Sequence, residues 1–527
     1  MKQIISVALL LLISLISDAQ DSNYVKFDGD TCCYIKSVGM GSDNLVVLYS
    51  NNKGTWVTLG KMDDNRHITF NSPVEVSYGV ISKTDIVCKP GCDPVDKREG
   101  IQDIPLKVLK LTDEQFVIFY EDDKDPDENK VRLGKILDGK IVLGEEQKFG
   151  NSGIVGTQGF DAIRLSEDKF VVAFNDDLIE SREDDNQIVC ALGKVSGDDA
   201  SIVQFSDLIP LTSKGNDAIS MSMARTSGNQ FLVTFSNRCN DDMGECILAS
   251  VRANSIDVDA KSMFTHDDVS GVNVIALEDK SFVINYGVDS PVFGEDYGYS
   301  KVGKVVTNKG KTEIVFGNEY IFNPEGGTNN AMDGIALGEN SFALFWSLGK
   351  HSISGKVVIG KLEKLKGKNK SAGAVDKGII FSESENKPVG SISNVSMTML
   401  QDDLVFCFQD LSSSSRNGCA SVASCKDMGL VVSGTQDLEG LNQDPTTVSV
   451  YPTITTGFID IKIDNLSKTK ATPKYHVFSV APVRKVIQGS LEEGENRINI
   501  GSQPDGYYVI SVQIGDRNYT NKVRLHH

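Results

Sequence analysis

With 72 Asp and Glu against 53 Lys and Arg, the 527-residue chain carries a net charge of −19. A surface this acidic repels nucleic acid and anionic membranes, which are held by clustered cations, so nucleic-acid partners are excluded. Length alone favours about three domains, although all-β folds routinely put more residues into one unit.

The chain opens with Lys2, an apolar run from Ile4 to Ile16, and Ser17-Asp18-Ala19, with small residues three and one before a cut near Ala19 or Gln20. This is the pattern of a cleavable secretory signal peptide over residues 1–19. The run is shorter than the roughly 18 apolar residues a membrane span needs, and no later run is long enough, so no transmembrane span is expected. The expected location is secreted or on the outer cell surface.

From residue 24 onward a short β-rich run recurs seven times: Leu45–Tyr49, Phe116–Tyr120, Phe170–Phe174, Phe231–Phe235, Phe282–Tyr286, Phe342–Trp346 and Leu404–Phe408. After a polar loop, each is followed by a second signature, such as Leu133-Gly134-Lys135, Leu192-Gly193-Lys194 or Ile359-Gly360-Lys361. Leu248-Ala249-Ser250 and Val422-Ala423-Ser424 are the degenerate copies. A short strand pattern precedes each run, as in Val274–Leu277, and another follows each Gly-Lys element, as in Ile141–Gly144. Four short strands per repeat cannot bury both faces of one sheet, and radial stacking solves this. Residues 20–434 are therefore expected to form a seven-bladed β-propeller. Six or eight blades also fit, because residues 77–104 interrupt the spacing as an insertion. The repeats resemble secreted β-propellers generally and match no one propeller family.

In such a blade the loop between the second and third strands shares a face with the link to the next blade. Those loops are the long ones here, as at Glu121–Lys130, Asn175–Gln187, Ser236–Glu245 and Gly287–Tyr299, so one face is the candidate binding face. The loop Glu121–Asn129 holds six carboxylates, and Asp123, Asp125 and Asp127 are spaced like the start of a calcium loop. Glu128 and Gly134 stand where an EF-hand needs glycine and a bidentate Glu, so calcium is an optional ligand and no cofactor is required. Solvated hairpin tips are the alternative reading of the same charges.

Ten Cys in an exported chain point to disulfides, with Cys88–Cys92, Cys239–Cys246 and Cys419–Cys425 as local pairs. Enzyme signatures fail: there is no G-x-S-x-G elbow, no H-E-x-x-H, and Gly310-Lys311-Thr312 lacks the first glycine of a phosphate loop. Paired carboxylates from different blades would be invisible at this level.

Residues 435–447 form a polar linker, and from Val448 the repeat signatures stop. Short alternating strands over 448–527 predict a small β-sandwich. Here Tyr451-Pro452 with Gly457, then Pro504-Asp505-Gly506-Tyr507-Tyr508 and Lys522-Val523, resemble the C-terminal sorting domain of the type IX secretion system of Bacteroidetes. Thr453-Ile454 and the final His526-His527 depart from that pattern. The resemblance implies export through the type IX machinery, with release or surface attachment; an accessory, carbohydrate-binding sandwich is the other reading. The leading expectation is thus a non-catalytic, surface-displayed or released propeller that binds a polysaccharide or a surface protein. A secreted polysaccharide hydrolase or lyase with carboxylates at the central channel is the alternative.

Overall fold

A computed structural model describes residues 24–526 apart from 30–31, 52, 79–105, 123–124, 150–158, 177–185, 197–201, 254, 289–296, 324–327, 339, 349–354, 365–374, 383–384, 387–391, 411–416, 425–446, 452–453, 456, 465–471, 481–482 and 515–516. The expected signal peptide, most of the 77–104 insertion, nearly all of the expected linker, and Cys88, Cys92 and Cys425 lie outside the described residues.

The fold is all-β, with all strand pairings antiparallel except that of Ile454–Thr455 with Arg517–Leu525, and with a single 3₁₀ turn at Arg238–Asn240 among the described residues. All seven aromatic-flanked runs lie in second strands: Asn44–Asn51, Gln115–Asp122, Lys169–Asp176, Gln230–Asn237, Ser281–Val288, Ser341–Leu348 and Asp403–Asp410. Each pairs on one side with a first strand and on the other with a third strand that carries the Gly-Lys signature or its degenerate copy. The runs are buried on both faces, which accounts for their continuous hydrophobicity.

The two signatures explain each other. Phe116 pairs with Gly134, Phe170 with Gly193, Phe282 with Gly303 and Phe342 with Gly360. In all four the ring lies across its glycine, so that an added Cβ would meet ring carbon at 2.1–2.2 Å. A strand glycine normally weakens a sheet; here it is the seat of a cross-strand aromatic ring. The third-to-fourth strand hairpins are equally specified. Asp138-Gly139 and Lys309-Gly310 have φ of 50° and 70°, and of 50° and 82°, the left-handed pair a two-residue hairpin requires.

Two connections differ from the repeat as read in the sequence. The fourth strand of the fourth repeat runs directly into the first strand of the fifth as one strand, Ser255–Ala276, which merges two sheets into one of seven strands. The last repeat takes its fourth strand from the other end of the chain: Tyr24–Asp28 pairs with Gly418–Ser424. The first strands touch in the order Cys32–Met40, Lys107–Lys110, Phe160–Arg164, Ala218–Ser227, Ser255–Ala276, Thr328–Gly338 and Ile392–Leu400, and the last touches the first.

Beyond residue 446 two further sheets form. One has three strands, Thr447–Tyr451, Phe458–Asp464 and Gly494–Asn499. The other has five, Ile454–Thr455, Arg517–Leu525, Gly506–Ile514, Lys474–Val480 and Val483–Ser490. Ile459, Ile461, Ile463 and Ile498 from the first share one core with Val477, Tyr508, Ile510, Val512 and Val523 from the second.

Candidate functional site

Several candidate loops are shorter than the sequence implied. Glu121–Lys130 is a hairpin: Gln115–Asp122 and Asp125–Leu137 pair from Tyr120 and Lys130 out to Asp122 and Asp125. Ser236–Glu245 is likewise strand on both sides of the 3₁₀ turn. The reason is that charged side chains alternating to solvent continue a ladder as readily as they form a loop. Asp123 lies outside the described residues, and Asp125 and Asp127 belong to the strand Asp125–Leu137, with no description of their side chains. Among the described residues no group of three or more His, Cys, Asp or Glu is arranged to hold a metal.

The cysteine expectation needs correction. Cys246 pairs with Thr234 in mid-sheet and is a buried free thiol, whereas Cys239 sits exposed on the 3₁₀ turn, so no bridge joins them. Cys419 is also a buried free thiol. Burial pushes the Cys190, Cys407 and Cys419 thiols up to about 12, which keeps them protonated and unreactive at neutral pH.

What the fold assembles instead is a level of polar residues along the inner strands. The fourth residue of each aromatic-flanked run pairs with one residue of the first strand: Lys36, Lys107, Asp161, Ser222, Asn273, Asp333 and Ser396, in sheet order. Four of these reach the next inner strand and accept a backbone N–H there. Asp161 Oδ2 accepts from Met223 at 2.7 Å, Ser222 Oγ from Val274 at 3.0 Å, Asp333 Oδ2 from Met397 at 2.8 Å, and Ser396 Oγ from Ser37 at 3.0 Å. Inner strands have no ladder partner on that side, so side chains satisfy their amides.

The charged members of this level form one electrostatic unit. Lys107 Nζ lies 2.5 Å from Asp161 Oδ1, which also accepts from Ala162 N–H at 2.8 Å. Burial works against the Lys107 charge, but Asp161 beside it and Asp333 from the sixth sheet outweigh burial and raise the ammonium pKa above its ordinary value. Asp333 Oδ1 accepts from Gly334 N–H at 2.9 Å, and its Oδ2 also accepts from the Ser396 hydroxyl at 3.2 Å. Every oxygen of Asp161 and Asp333 is therefore engaged by a backbone N–H. These carboxylates fasten neighbouring strands. The signal that could have revealed the level was the polar residue twelve positions before the fourth residue of the run in six repeats, and eleven before it in the seventh.

Two Tyr–Glu–Lys clusters also look chemical. Tyr120 donates to Glu146 at 2.5 Å with Lys130 Nζ at 3.1 Å, and Tyr286 donates to Glu319 with Lys301 Nζ at 3.8 Å. A tyrosine beside a glutamate serves as nucleophile in some glycosidases. Here both rings are buried in the sheet packing, and burial, followed by Glu319, pushes Tyr286 well above the ordinary phenol range. Tyr299, at the end of the Gly287–Tyr299 loop, is buried and stacked on Tyr286 with ring centroids 6.0 Å apart.

Of the sorting-motif residues, Pro452 is outside the described residues, and Tyr451 and Lys522 are described by strand position alone. Gly457 has φ 154°, a region that favours glycine, and its N–H donates to Thr455 Oγ at 3.1 Å. Pro504 offers its carbonyl to the Tyr508 hydroxyl at 2.6 Å, and Gly506, at φ 156°, starts the strand that buries Tyr508 and leaves Tyr507 exposed.

No protein-family model matches this chain, and no curated protein matches it. Among solved structures it is similar to the α-L-arabinofuranosidase Arb93A of Fusarium graminearum, with 12% identity over 62% of this chain and 94% of that one and a TM-score of 0.40. Trypanosoma rangeli sialidase shows 9% identity over 96% and 90% of the two chains, with a TM-score of 0.39. A triple arginine mutant of AofleA from Arthrobotrys oligospora shows 7% identity over 70% and 89%, with a TM-score of 0.39. Likenesses this loose carry no conclusion about activity.

Proposed function

We propose that this chain is an exported seven-bladed β-propeller whose loop-bearing face binds an extracellular polysaccharide or surface protein, followed by a β-sandwich that acts as a sorting domain. The cyclic order of inner-strand contacts and the N-terminal strand completing the last sheet support the ring. The sorting role rests on the Pro504–Val512 and Lys522-Val523 resemblance.

The observation that carries binding over hydrolysis is the fate of Asp161 and Asp333. Most glycoside cleavage uses two carboxyl groups about 5–9.5 Å apart on one substrate cavity. Asp161 and Asp333, the two carboxylates of the inner-strand level, accept the N–H groups of Ala162 and Met223 and of Gly334 and Met397, which gives them a strand-fastening role that supports the binding reading. A rigid, stapled ring presenting loops is a binding scaffold.

The test is a glycan array, with pull-down from a surface-protein fraction, alongside a reducing-end assay on the same polysaccharides. Retention of one glycan or one protein class with no release of reducing ends is the expected result. Cleavage of a polymer by the wild-type chain, abolished in Asp161→Asn or Asp333→Asn, would establish the hydrolase reading instead. For the sorting role, removing residues 448–527 should strand the remainder in the periplasm on cell fractionation. Unchanged arrival outside the cell would remove that part of the proposal.

A further inference from the structure

We infer that the outward face of the five-stranded C-terminal sheet is a second binding surface, and that its ligand is an acidic polysaccharide. The strand Lys474–Val480 turns Val477 and Ser479 inward and leaves Lys474, His476 and Phe478 on the outer face. Opposite Phe478 on one side stands Lys485, and on the other Val509, with Tyr507 two residues along the same strand and Arg524 facing Tyr507. Phe478 and Tyr507 thus lie on one face as diagonal neighbours on adjacent strands, within reach of a single short oligosaccharide.

Each ring is covered by a cation. Lys485 Nζ lies 5.9 Å from the Phe478 centroid, and the Arg524 guanidinium lies 5.6 Å from that of Tyr507, which is 41% exposed. The contrast with the three-stranded sheet is what gives this face its meaning. There Arg497 also lies over an exposed ring, Phe458, but Asp460 holds it with two hydrogen bonds of 2.7 and 3.0 Å. Among the described residues neither Lys485 nor Arg524 has a carboxylate partner. Asp505, at the end of the sheet, is held by His526 at 3.0 Å. His476 is pushed down by burial and then by Lys485 and Lys474, so it adds a third flat ring of reduced charge.

The charge of the chain divides along the same line. Residues 448–527 carry ten Lys and Arg against seven Asp and Glu, a net +3, which leaves −22 for the rest. Cations without a carboxylate partner, set beside flat rings with the exposed amides of Gln488 and Gln513 further along the same face opposite His476 and Lys474, fit a polymer of sugar rings that carries carboxylate or sulfate groups. A lipid surface is disfavoured by the small apolar area of the face.

The test uses the full chain in affinity electrophoresis through gels containing polygalacturonate, dextran sulfate or neutral dextran, with sedimentation on phosphatidylglycerol vesicles as the rival arm. Polygalacturonate or dextran sulfate should retard the protein and neutral dextran should not. Arg524→Glu with Lys485→Glu should weaken retardation about tenfold or more, and Tyr507→Ala by several-fold. Arg497→Ala, on the opposite sheet, should match the wild type. These side chains are exposed, and near-ultraviolet circular dichroism confirms that each variant folds. Four results would overturn the inference: no retardation of the wild type, retardation indifferent to the charge reversal, a Tyr507→Ala protein equal to the wild type, or vesicle binding without polysaccharide binding. Loss of the propeller ligand in the same screens would leave this surface unaffected.

Discussion

The ring of Phe27 lies over Gly418, where an added Cβ would stand 2.3 Å from Phe27 Cε2. The same relationship joins Phe264 to Gly244 and Phe322 to Gly298, rings of fourth strands over glycines of third strands. The N-terminal strand therefore does in the last sheet what a fourth strand does in the others.

Phe27 thus belongs to the packing of the last sheet. Phe27→Ala should lower stability by about 3–5 kcal/mol, the range for emptying a buried aromatic site. Urea unfolding followed by tryptophan fluorescence measures it. A loss under about 1 kcal/mol would show that the terminal strand is a dispensable addition to the last sheet.

The Phe–Gly pairs make a second, sharper claim. Gly303→Ala places a methyl 2.1 Å from the Phe282 ring and should cost about 1–3 kcal/mol. The chain itself contains a Leu–Ala version, since the seventh repeat pairs Leu404 with Ala423, although the fourth keeps Phe231 opposite Ala249. Adding Phe282→Leu to Gly303→Ala should therefore recover part of the loss, and a double-mutant cycle reads the coupling. Strict additivity of the two costs would mean that ring and glycine do not share the space.

Asp161 and Lys107 can be separated from function by mutation. Asp161→Ala leaves the Lys107 ammonium and the Met223 N–H without their partner and should cost about 3–5 kcal/mol. Asp161→Asn keeps an acceptor for Met223 and should cost less. Ligand retention by the folded Asn variant should equal that of the wild type; a selective loss of retention at unchanged stability would move Asp161 from the scaffold to the binding site.

Stability should fall on the alkaline side. The Cys190, Cys407 and Cys419 thiols, held up at about 12 by burial, stay protonated in the folded chain, whereas unfolded thiols ionise near 8.5. Between those values the unfolded state binds fewer protons, so unfolding becomes easier as pH rises from about 8.5 toward 12. Lys107 acts later: its folded pKa is raised, so its contribution is complete below the unfolded value near 10.4 and is lost as pH climbs through the folded one. Urea midpoints at pH 7.5 and 10 check this, with Cys190→Ala expected to flatten the dependence. A midpoint that rises with pH would contradict it.

The repeat was legible because it is written in packing. A second strand buried on both faces must be apolar throughout, and a ring that lies across the third strand favours glycine there, so Phe116 and Gly134 announce each other by spacing alone; the fourth repeat, with Phe231 opposite Ala249, departs from the rule. The strand class, the seven runs and the change of pattern at Val448 follow from such local rules. Three things do not. Tyr24–Asp28 reads as an ordinary short strand, and its pairing with Gly418–Ser424 is fixed by where the last sheet ends in space. Asp161 and Asp333 are two acids among 72 until neighbouring strands supply the amides that claim their oxygens. The bridge expected between Cys239 and Cys246 rested on short spacing, whereas strand pleat sends Cys246 into the core and leaves Cys239 outside. Sequence determines which residues must be buried and with what period; which polar groups face each other across separate sheets is decided only when the sheets pack.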